Sequence, residues 1–229
     1  MAKNLNRIEK FLARVKLMHK QKHQTVFFLS APSAAGKDGL WKYISKMKYD
    51  KKYNLYKPVS TTCRLPRLDE TCGKDYYYVY KEMIVDENNN PQPNVISPLM
   101  FGSEHGREVW YCFTKEELTK SIRLKKSLVF IINGSMVAFY KDYFYKNFPW
   151  IKCITTCWTI SEQAQKVKFY RRDPSKTKEE LDKIYESRIP ERKMYDELIE
   201  KKVFDYVDDA SISLKKWKHK QYKKKYGKK

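Results

Sequence analysis

The sequence holds no apolar run of membrane-spanning length, and its first residues lack the apolar centre of a secretory signal, so no spanning helix and no membrane partner are expected. Its five cysteines, Cys63, Cys72, Cys112, Cys153 and Cys157, are odd in number and lack zinc-type paired spacing. That speaks against a disulfide scaffold or a zinc finger and for a reduced, cytoplasmic protein. Among the histidines, His23 and His105 have no triad-like company, so nucleophilic hydrolysis is not supported. Acidic residues are the scarce charge: 27 Asp and Glu against 48 Lys and Arg leave a formal charge of +21. Such a surplus favours nucleotide or polyanionic partners and says nothing about fold. With 41% apolar and 15% aromatic residues the chain is not disordered overall, and 229 residues can bury one full core.

The stretch from Thr25 to Leu40, TVFFLSAPSAAGKDGL, organises the rest. Strand-favouring residues, Val26 to Leu29, end in a loop of small residues that passes through Gly36 and Lys37 into a predicted helix carrying Leu40, Trp41 and Ile44. Amides at such a helix start form an anion-sized nest, and a lysine at its rim reaches the outer phosphates of a nucleotide. Ser33, Ala34, Ala35, Gly36, Lys37 and Asp38 are therefore the candidate phosphate-binding residues. The usual pattern, G-x-x-x-x-G-K-[ST], is departed from at Ala31 and at Asp38. Ala31 is a mild change where φ stays negative. Asp38 replaces the hydroxyl that normally ligates Mg2+, and its carboxylate could act as the metal ligand instead. The plainer alternative is a strand-turn-helix with an incidental Gly-Lys.

Residues 1–24 are basic, with Leu5, Ile8, Leu12, Val15 and Met18 at helical spacing, which predicts an amphipathic helix laid on the domain; a targeting or membrane-surface helix is the alternative. After the loop, a helix is expected from Lys37 to Lys48 and a second strand from Tyr56 to Thr61. Residues 62–114 read as irregular, with one strand-like stretch at Tyr76 to Tyr80 and a loop at Asp86 to Asn94. Alternation then resumes: helix from Lys115 to Lys125, strand from Leu128 to Ile132, helix from Met136 to Lys146, strand from Ile151 to Thr156, and a helix begun by Ser161. A charged segment, Arg171 to Lys176, precedes one further helix, Glu179 to Glu200, and a short strand, Phe204 to Val207. Strand and helix alternating in this way imply a mainly parallel sheet covered on both faces, with a ligand at its C-terminal edge.

A second constellation follows the second strand: Ser60, Arg64, Pro66, Arg67, Glu70 and then Tyr76. Two arginines three residues apart, held by a proline, can direct planar donor forks at one phosphate, and a hydroxyl or tyrosine can complete the cage. A solvated basic turn is the bland alternative. The last segment, residues 215–229, holds nine lysines interleaved with Trp217, Tyr222 and Tyr226. It reads either as a solvated tail or as a weak nucleic-acid contact in which rings stack on bases. Cys153 and Cys157 lie four apart on a strand and are expected to face the core.

The phosphate loop, the array S-x-T-x-R-x-P-R-x-x-E with Asp75-Tyr76, the charged segment and Phe204 to Val207 together resemble the guanylate kinase family. The resemblance implies an α/β three-layer P-loop kinase with a mainly parallel sheet. It places the kinase domain at residues 25–214, with an inserted acceptor-binding subdomain at 62–114 and a lid at 171–188. It further implies that Lys37 and the loop amides hold the phosphates of ATP, with Mg2+ as cofactor. Ser60, Arg64, Arg67 and Tyr76 then grip the phosphate of a nucleoside monophosphate, most simply GMP or dGMP, with Glu70 in support, while Arg171, Arg172 and Arg188 approach the transferring group as lid arginines. Three departures bear on the acceptor and the metal: Met100 stands where the family has a glutamate that reads guanine, although Glu104 lies nearby; the family's Tyr-Gly-[ST] segment is not evident in Arg107 to Phe113; and Asn133 replaces an acidic residue at a strand end. Gly-Lys-Asp in the loop and Asn133-Gly134-Ser135 are also similar to ribose bisphosphate phosphokinases, which makes a sugar-phosphate kinase one alternative. A guanylate kinase-like binding module that has lost catalysis is another. Lys37 and the lid arginines favour the active kinase, since a binding module needs no donor-side machinery.

Overall fold

A computed structural model describes residues 6–66, 68, 70–104, 106–172 and 177–210, apart from the side chains of Asp38, Ser103, Glu104 and Arg172. Arg67, His105, residues 173–176 of the expected lid and the polybasic tail lie outside the described residues. In chain order the elements are α1 (Arg7–Lys20), β1 (Thr25–Ser30), α2 (Lys37–Lys46), α3 (Tyr49–Lys52), β2 (Leu55–Tyr56), β3 (Ser60–Thr62), β4 (Tyr76–Tyr78), β5 (Val95–Glu104) and β6 (Arg107–Thr114). They continue with α4 (Lys115–Arg123), β7 (Ser127–Ile131), α5 (Val137–Asn147), β8 (Lys152–Thr159), α6 (Glu162–Arg172), α7 (Lys178–Glu186), α8 (Ile189–Glu200) and β9 (Tyr206–Asp209). They fall into two compact units, Met1–Leu55 with Val129–Lys229, and Tyr56–Leu128.

The first unit is built on a five-stranded sheet in the order β2-β7-β1-β8-β9, with β1 parallel to β8 and β8 parallel to β9. All six residues of β1 are buried, because its two faces are both covered. Phe27 meets Phe11 of α1 with ring centroids 5.8 Å apart, whereas its neighbour Phe28 meets Phe144 of α5 at 5.9 Å. Successive strand residues point to opposite faces, so these two contacts define a helix, sheet, helix sandwich. α1 starts on a capping box between Asn6 and Glu9 and buries Ile8, Phe11, Val15 and Met18. Arg14 binds both carboxylate oxygens of the buried Asp208, at 2.7 and 3.0 Å, tying this helix to β9.

The second unit carries a four-stranded sheet in the order β4-β3-β6-β5, in which β3 and β4 run parallel and β6 runs antiparallel to both β3 and β5. A small core of Ile84, Val85, Val95, Trp110 and Cys112 packs on one face.

Three expectations change. The single strand from Tyr56 to Thr61 is two, β2 and β3, one in each sheet. Pro58 between them has no amide hydrogen for a ladder, and the Val59 amide is taken by Glu117 at 3.0 Å. The region 62–114 is less irregular than its composition implies, since β5 and β6 form a long hairpin. The helix from Glu179 to Glu200 is α7 and α8, parted at Ser187 and Arg188 because Pro190 is accommodated only in a first helical turn.

Candidate active site

In the first unit, β1 delivers the loop Ala31 to Gly36 to the start of α2. Gly36 is the N-cap of α2 with φ 89°, and Ala34 also lies in the left-handed region at φ 62°. For a residue with a Cβ that conformation is uncommon, so Ala34 is held there by the loop. Ala31 is buried and is not among the residues with positive φ, which meets the condition for replacing a glycine at that position. Alternating handedness of this kind is the conformation from which anion nests are built, and the Ala35 amide here donates to the Pro32 carbonyl at 3.2 Å. The Lys37 ammonium donates to the carbonyl of Ala31, across the mouth of the loop. Ser33 is gripped from two sides: its carbonyl accepts from Gln165 of α6 at 2.9 Å, and its amide donates to Glu191 of α8 at 3.2 Å. The side chain of Asp38 lies outside the described residues, although its backbone is in the first turn of α2.

The segment after β7 lies beside this loop in the sheet. Ser30 donates to the carbonyl of Ile132 at 3.0 Å. Asn133 Oδ1 accepts from both the amide and the hydroxyl of Ser135, at 3.0 Å each, so it caps the turn Gly134–Met136. The Gly134 amide donates to the hydroxyl of the buried Tyr195 at 2.9 Å. The side-chain oxygens of Asn133 and Ser135 are of the type that suits Mg2+. Among the described residues no group of three His, Cys, Asp or Glu is placed to hold a metal. Asn133 Oδ1 is committed to its cap.

Of the expected lid arginines, Arg171 is exposed at the end of α6, the Arg172 side chain is outside the described residues, and Arg188 is half-buried at the N-cap of α8. α6 and α7 are pinned together by Asp182, which accepts from the Tyr170 hydroxyl and pairs with Lys166 at 3.0 Å. The Tyr185 hydroxyl bonds Glu162 of α6 and Arg192 of α8; burial first, then Glu162, raises its pKa. Arg188 therefore begins the helix whose next turn reaches the phosphate loop through Glu191. Sequence reasoning missed Glu191 and Arg192, since neither belongs to a recognisable spacing.

In the second unit, Arg64 is 4% exposed and fully framed. Its Nη1 and Nη2 donate to the two oxygens of Glu70 at 2.8 and 2.6 Å, Nη1 also reaches the carbonyl of Leu65, and Nε donates to the Tyr111 hydroxyl at 2.9 Å. The guanidinium lies 4.8 Å from the centroid of Tyr76 and 5.8 Å from that of Tyr78, whose hydroxyl also donates to Glu70 at 2.8 Å. Burial alone pulls the Arg64 pKa down, but the hydrogen bonds and charge of Glu70 and Tyr111 outweigh it and raise it, so the group stays cationic. Ser60 lies in register with Tyr76 across the parallel pair β3 and β4. The structure thus brings Ser60, Arg64, Glu70 and Tyr76 together, as the spacing implies, while Arg67 lies outside the described residues. Tyr78 and Tyr111 complete the cage and were not foreseen. Tyr78 could have been found from strand alternation with Tyr76. Met100 sits on β5 opposite Trp110 and is half-exposed, with a thioether in place of a carboxylate.

Residues 23–97 match the family model described as guanylate kinase. Over 108 residues the chain is 33% identical to a guanylate kinase of Wolinella succinogenes, a match that covers 47% of this chain and 45% of that protein's length. The crystal structure of guanylate kinase from Anaplasma phagocytophilum shares the fold, with a TM-score of 0.50 at 20% identity over 82% of this chain and 77% of that one. The sequence likenesses are thus to guanylate kinases over less than half of the chain, and the structural one shows a shared α/β fold with a mainly parallel central sheet.

Proposed function

We propose that this chain is an ATP-dependent nucleoside monophosphate kinase that moves the γ-phosphoryl group of ATP to a monophosphate acceptor, with GMP or dGMP first in line. The observation that carries the reading is Arg64: a buried, permanently charged guanidinium oriented by Glu70 and Tyr111 beside two tyrosine rings, inside the segment that matches the guanylate kinase family. Such a group is suited to an anionic ligand that Arg67, Ser60 and Tyr76 would also bind. On the donor side, Lys37 and the amides of residues 33–38 would hold the ATP phosphates.

A phosphate monoester has its second pKa near 6, so its attacking oxygen is already anionic at neutral pH and no general base is needed. The work left to the protein is to hold two anions in line, screen their charge and keep water out. Lys37 screens the donor phosphates, Arg64 the acceptor phosphate, and Arg172 and Arg188 would add charge at the group in transit. When ATP fills the loop, the Ser33 amide exchanges the Glu191 carboxylate for a phosphate oxygen. Bound Mg2+ would supply further charge neutralisation on the donor phosphates, held from the protein side by Asp38.

A second acceptor class, a ribose bisphosphate, is favoured by one observation: the half-exposed Met100 offers no acceptor for the N–H groups of guanine. Incubation of the chain with ATP and Mg2+ and each of GMP, dGMP, AMP and ribose bisphosphate decides between them. Turnover is expected with GMP or dGMP and is expected to vanish in Lys37→Ala. No turnover of any acceptor, together with no binding of ATP, would leave only a binding module.

A further inference from the structure

α1 begins on a residue that helix chemistry does not favour. Arg7 occupies its first position, where the helix dipole opposes a cation, and yet the residue is only 5% exposed. Two contacts fix the guanidinium. Nη1 donates to the carbonyl of Ala210 at 2.8 Å, just past β9, and the group lies 4.7 Å from the ring centroid of the fully buried Trp158. Burial lowers its pKa to about 10, with Asp209 acting in the other direction, so it is still cationic at neutral pH. An uncharged donor could satisfy the Ala210 carbonyl at a smaller cost in desolvation, so hydrogen bonding does not account for the charge.

At the other end of the guanidinium stands the candidate phosphate loop. A Cβ placed on Gly36 would lie 3.4 Å from Arg7 Nη2, and Gly36 is the N-cap of α2, where the loop passes into the helix. Ala31 and Ala35 of the loop share one buried cluster with Ile8 and Phe11, which follow Arg7 on α1. α6 reaches the same place: Gln165 donates to the Ser33 carbonyl at 2.9 Å and, about one turn further on, Lys168 donates to the Ala210 carbonyl at 3.1 Å. Two cations from different helices are thus held beside the loop in addition to Lys37. Both lie outside residues 23–97, the stretch that matches the family model.

We propose that Arg7 is a positioning residue for the donor phosphates, a fixed charge beside Gly36 that strengthens the loop's hold on the triphosphate of ATP, with Lys168 as a weaker second. The inference rests on the donor-side reading above. α1 then belongs to the nucleotide site and is more than a cover for the sheet. Unlike Lys37, Arg7 acts without touching the ligand, because a charge held in buried surroundings is poorly screened and its field reaches the loop.

Equilibrium binding of ATP to the whole chain, with a melt of each variant, tests this. Arg7→Gln keeps a donor for Ala210 and removes the charge, so it should weaken ATP about tenfold. Arg7→Lys keeps the charge and loses the fork; it should bind ATP within about twofold of the parent, although its melting temperature falls as far as that of Arg7→Gln. In steady state the loss in Arg7→Gln should fall on KM for ATP and spare KM for the acceptor, a split that a loosened fold would not give. Lys168→Met leaves the Arg7 contacts in place and should weaken ATP severalfold, which keeps the test alive if an Arg7 variant fails to fold. Equal weakening in Arg7→Gln and Arg7→Lys, or ATP affinity unchanged in Arg7→Gln and Lys168→Met, would overturn the assignment. A parent that binds no ATP overturns the donor-side reading and this inference with it, whereas a parent that binds ATP no better than Arg7→Gln removes this inference alone.

Discussion

Arg64 and Glu70 form a two-pronged ion pair, 2.6 and 2.8 Å, with side chains only 2% and 13% exposed. Removing one partner from such a pair leaves a buried charge uncompensated, at a cost of about 3 kcal/mol. Glu70→Ala should therefore lower the melting temperature by about 6–12 °C for a chain of this size and, on the proposed function, weaken GMP binding by loosening Arg64. Glu70→Gln, which still accepts one hydrogen bond, should lose less of both. Calorimetry and equilibrium binding on the two variants check the order, and an Ala variant as stable as the parent would show that the pair is not buried in solution.

Glu191 bears on the donor side. Its carboxylate accepts from the Ser33 amide, a donor that a phosphate oxygen of ATP would need on the proposed function, so the two anions would compete for one hydrogen. Glu191→Gln leaves an oxygen to support the empty loop but removes the charge that repels phosphate. The difference is about 1 kcal/mol, roughly a fivefold fall in KM for ATP with kcat little changed. Steady-state kinetics at fixed acceptor measure it; a KM that stays the same or rises would mean that Glu191 supports the loop without competing with ATP.

These two contacts also show what could be read from the sequence and what could not. Arg64, Glu70 and Tyr76 fall within one short stretch and were legible from spacing, as was the passage from β1 through Gly36 to Lys37. Tyr111 meets Arg64 from 47 residues away, and Glu191 meets Ser33 from 158 away, so no local pattern announces either. The fold divides in the same way. β1 was legible as an uninterrupted run of strand formers, whereas β5 was hidden: Ser97 at φ 43°, Pro98 and Gly102 at φ 130° break its alternation, and the ladder to β6 slips at two places. The parting of α7 from α8 was signalled by Pro190 and overlooked, because helical spacing runs on across it.

Gly134 is fixed by space rather than by its backbone. A Cβ there would stand 2.6 Å from Tyr195 Cε1 and 3.1 Å from Leu198 Cδ1. Tyr195 is 1% exposed and stacks on Phe204, so it has no room to retreat. Gly134→Ala should cost about 1–3 kcal/mol by overpacking. Tyr195→Phe removes the acceptor of the buried Gly134 amide and should cost a similar amount, about 1–3 kcal/mol, by leaving that donor unmet. Denaturant melts of both variants test this. If Gly134→Ala is neutral, Tyr195 is free to move, and α8 is less firmly set against the turn after β7 than the contact implies.

Lys168 should give this protein a pH dependence opposite to that of an ordinary paired lysine. Its ammonium and the Arg7 guanidinium both donate to the carbonyl of Ala210, at 3.1 and 2.8 Å, so two cations converge on one oxygen. Burial first, and then the charge of Arg7, lowers the Lys168 pKa to about 8, against an ordinary value of 10.5, while Asp209 acts in the other direction. Between pH 8 and 10.5 the unfolded chain therefore holds more protons at this site than the folded one. Stability contributed by the site must rise with pH across that window. Below it both states are protonated, and the cost of the buried charge is carried in full. Lys168→Met removes the charge at every pH, so the melting temperature of the parent minus that of the variant should climb from pH 7 to pH 10. Comparing the two proteins cancels the titration of the other lysines. A difference that stays level would mean that Lys168 keeps its ordinary pKa and that the two cations do not share the Ala210 carbonyl in solution.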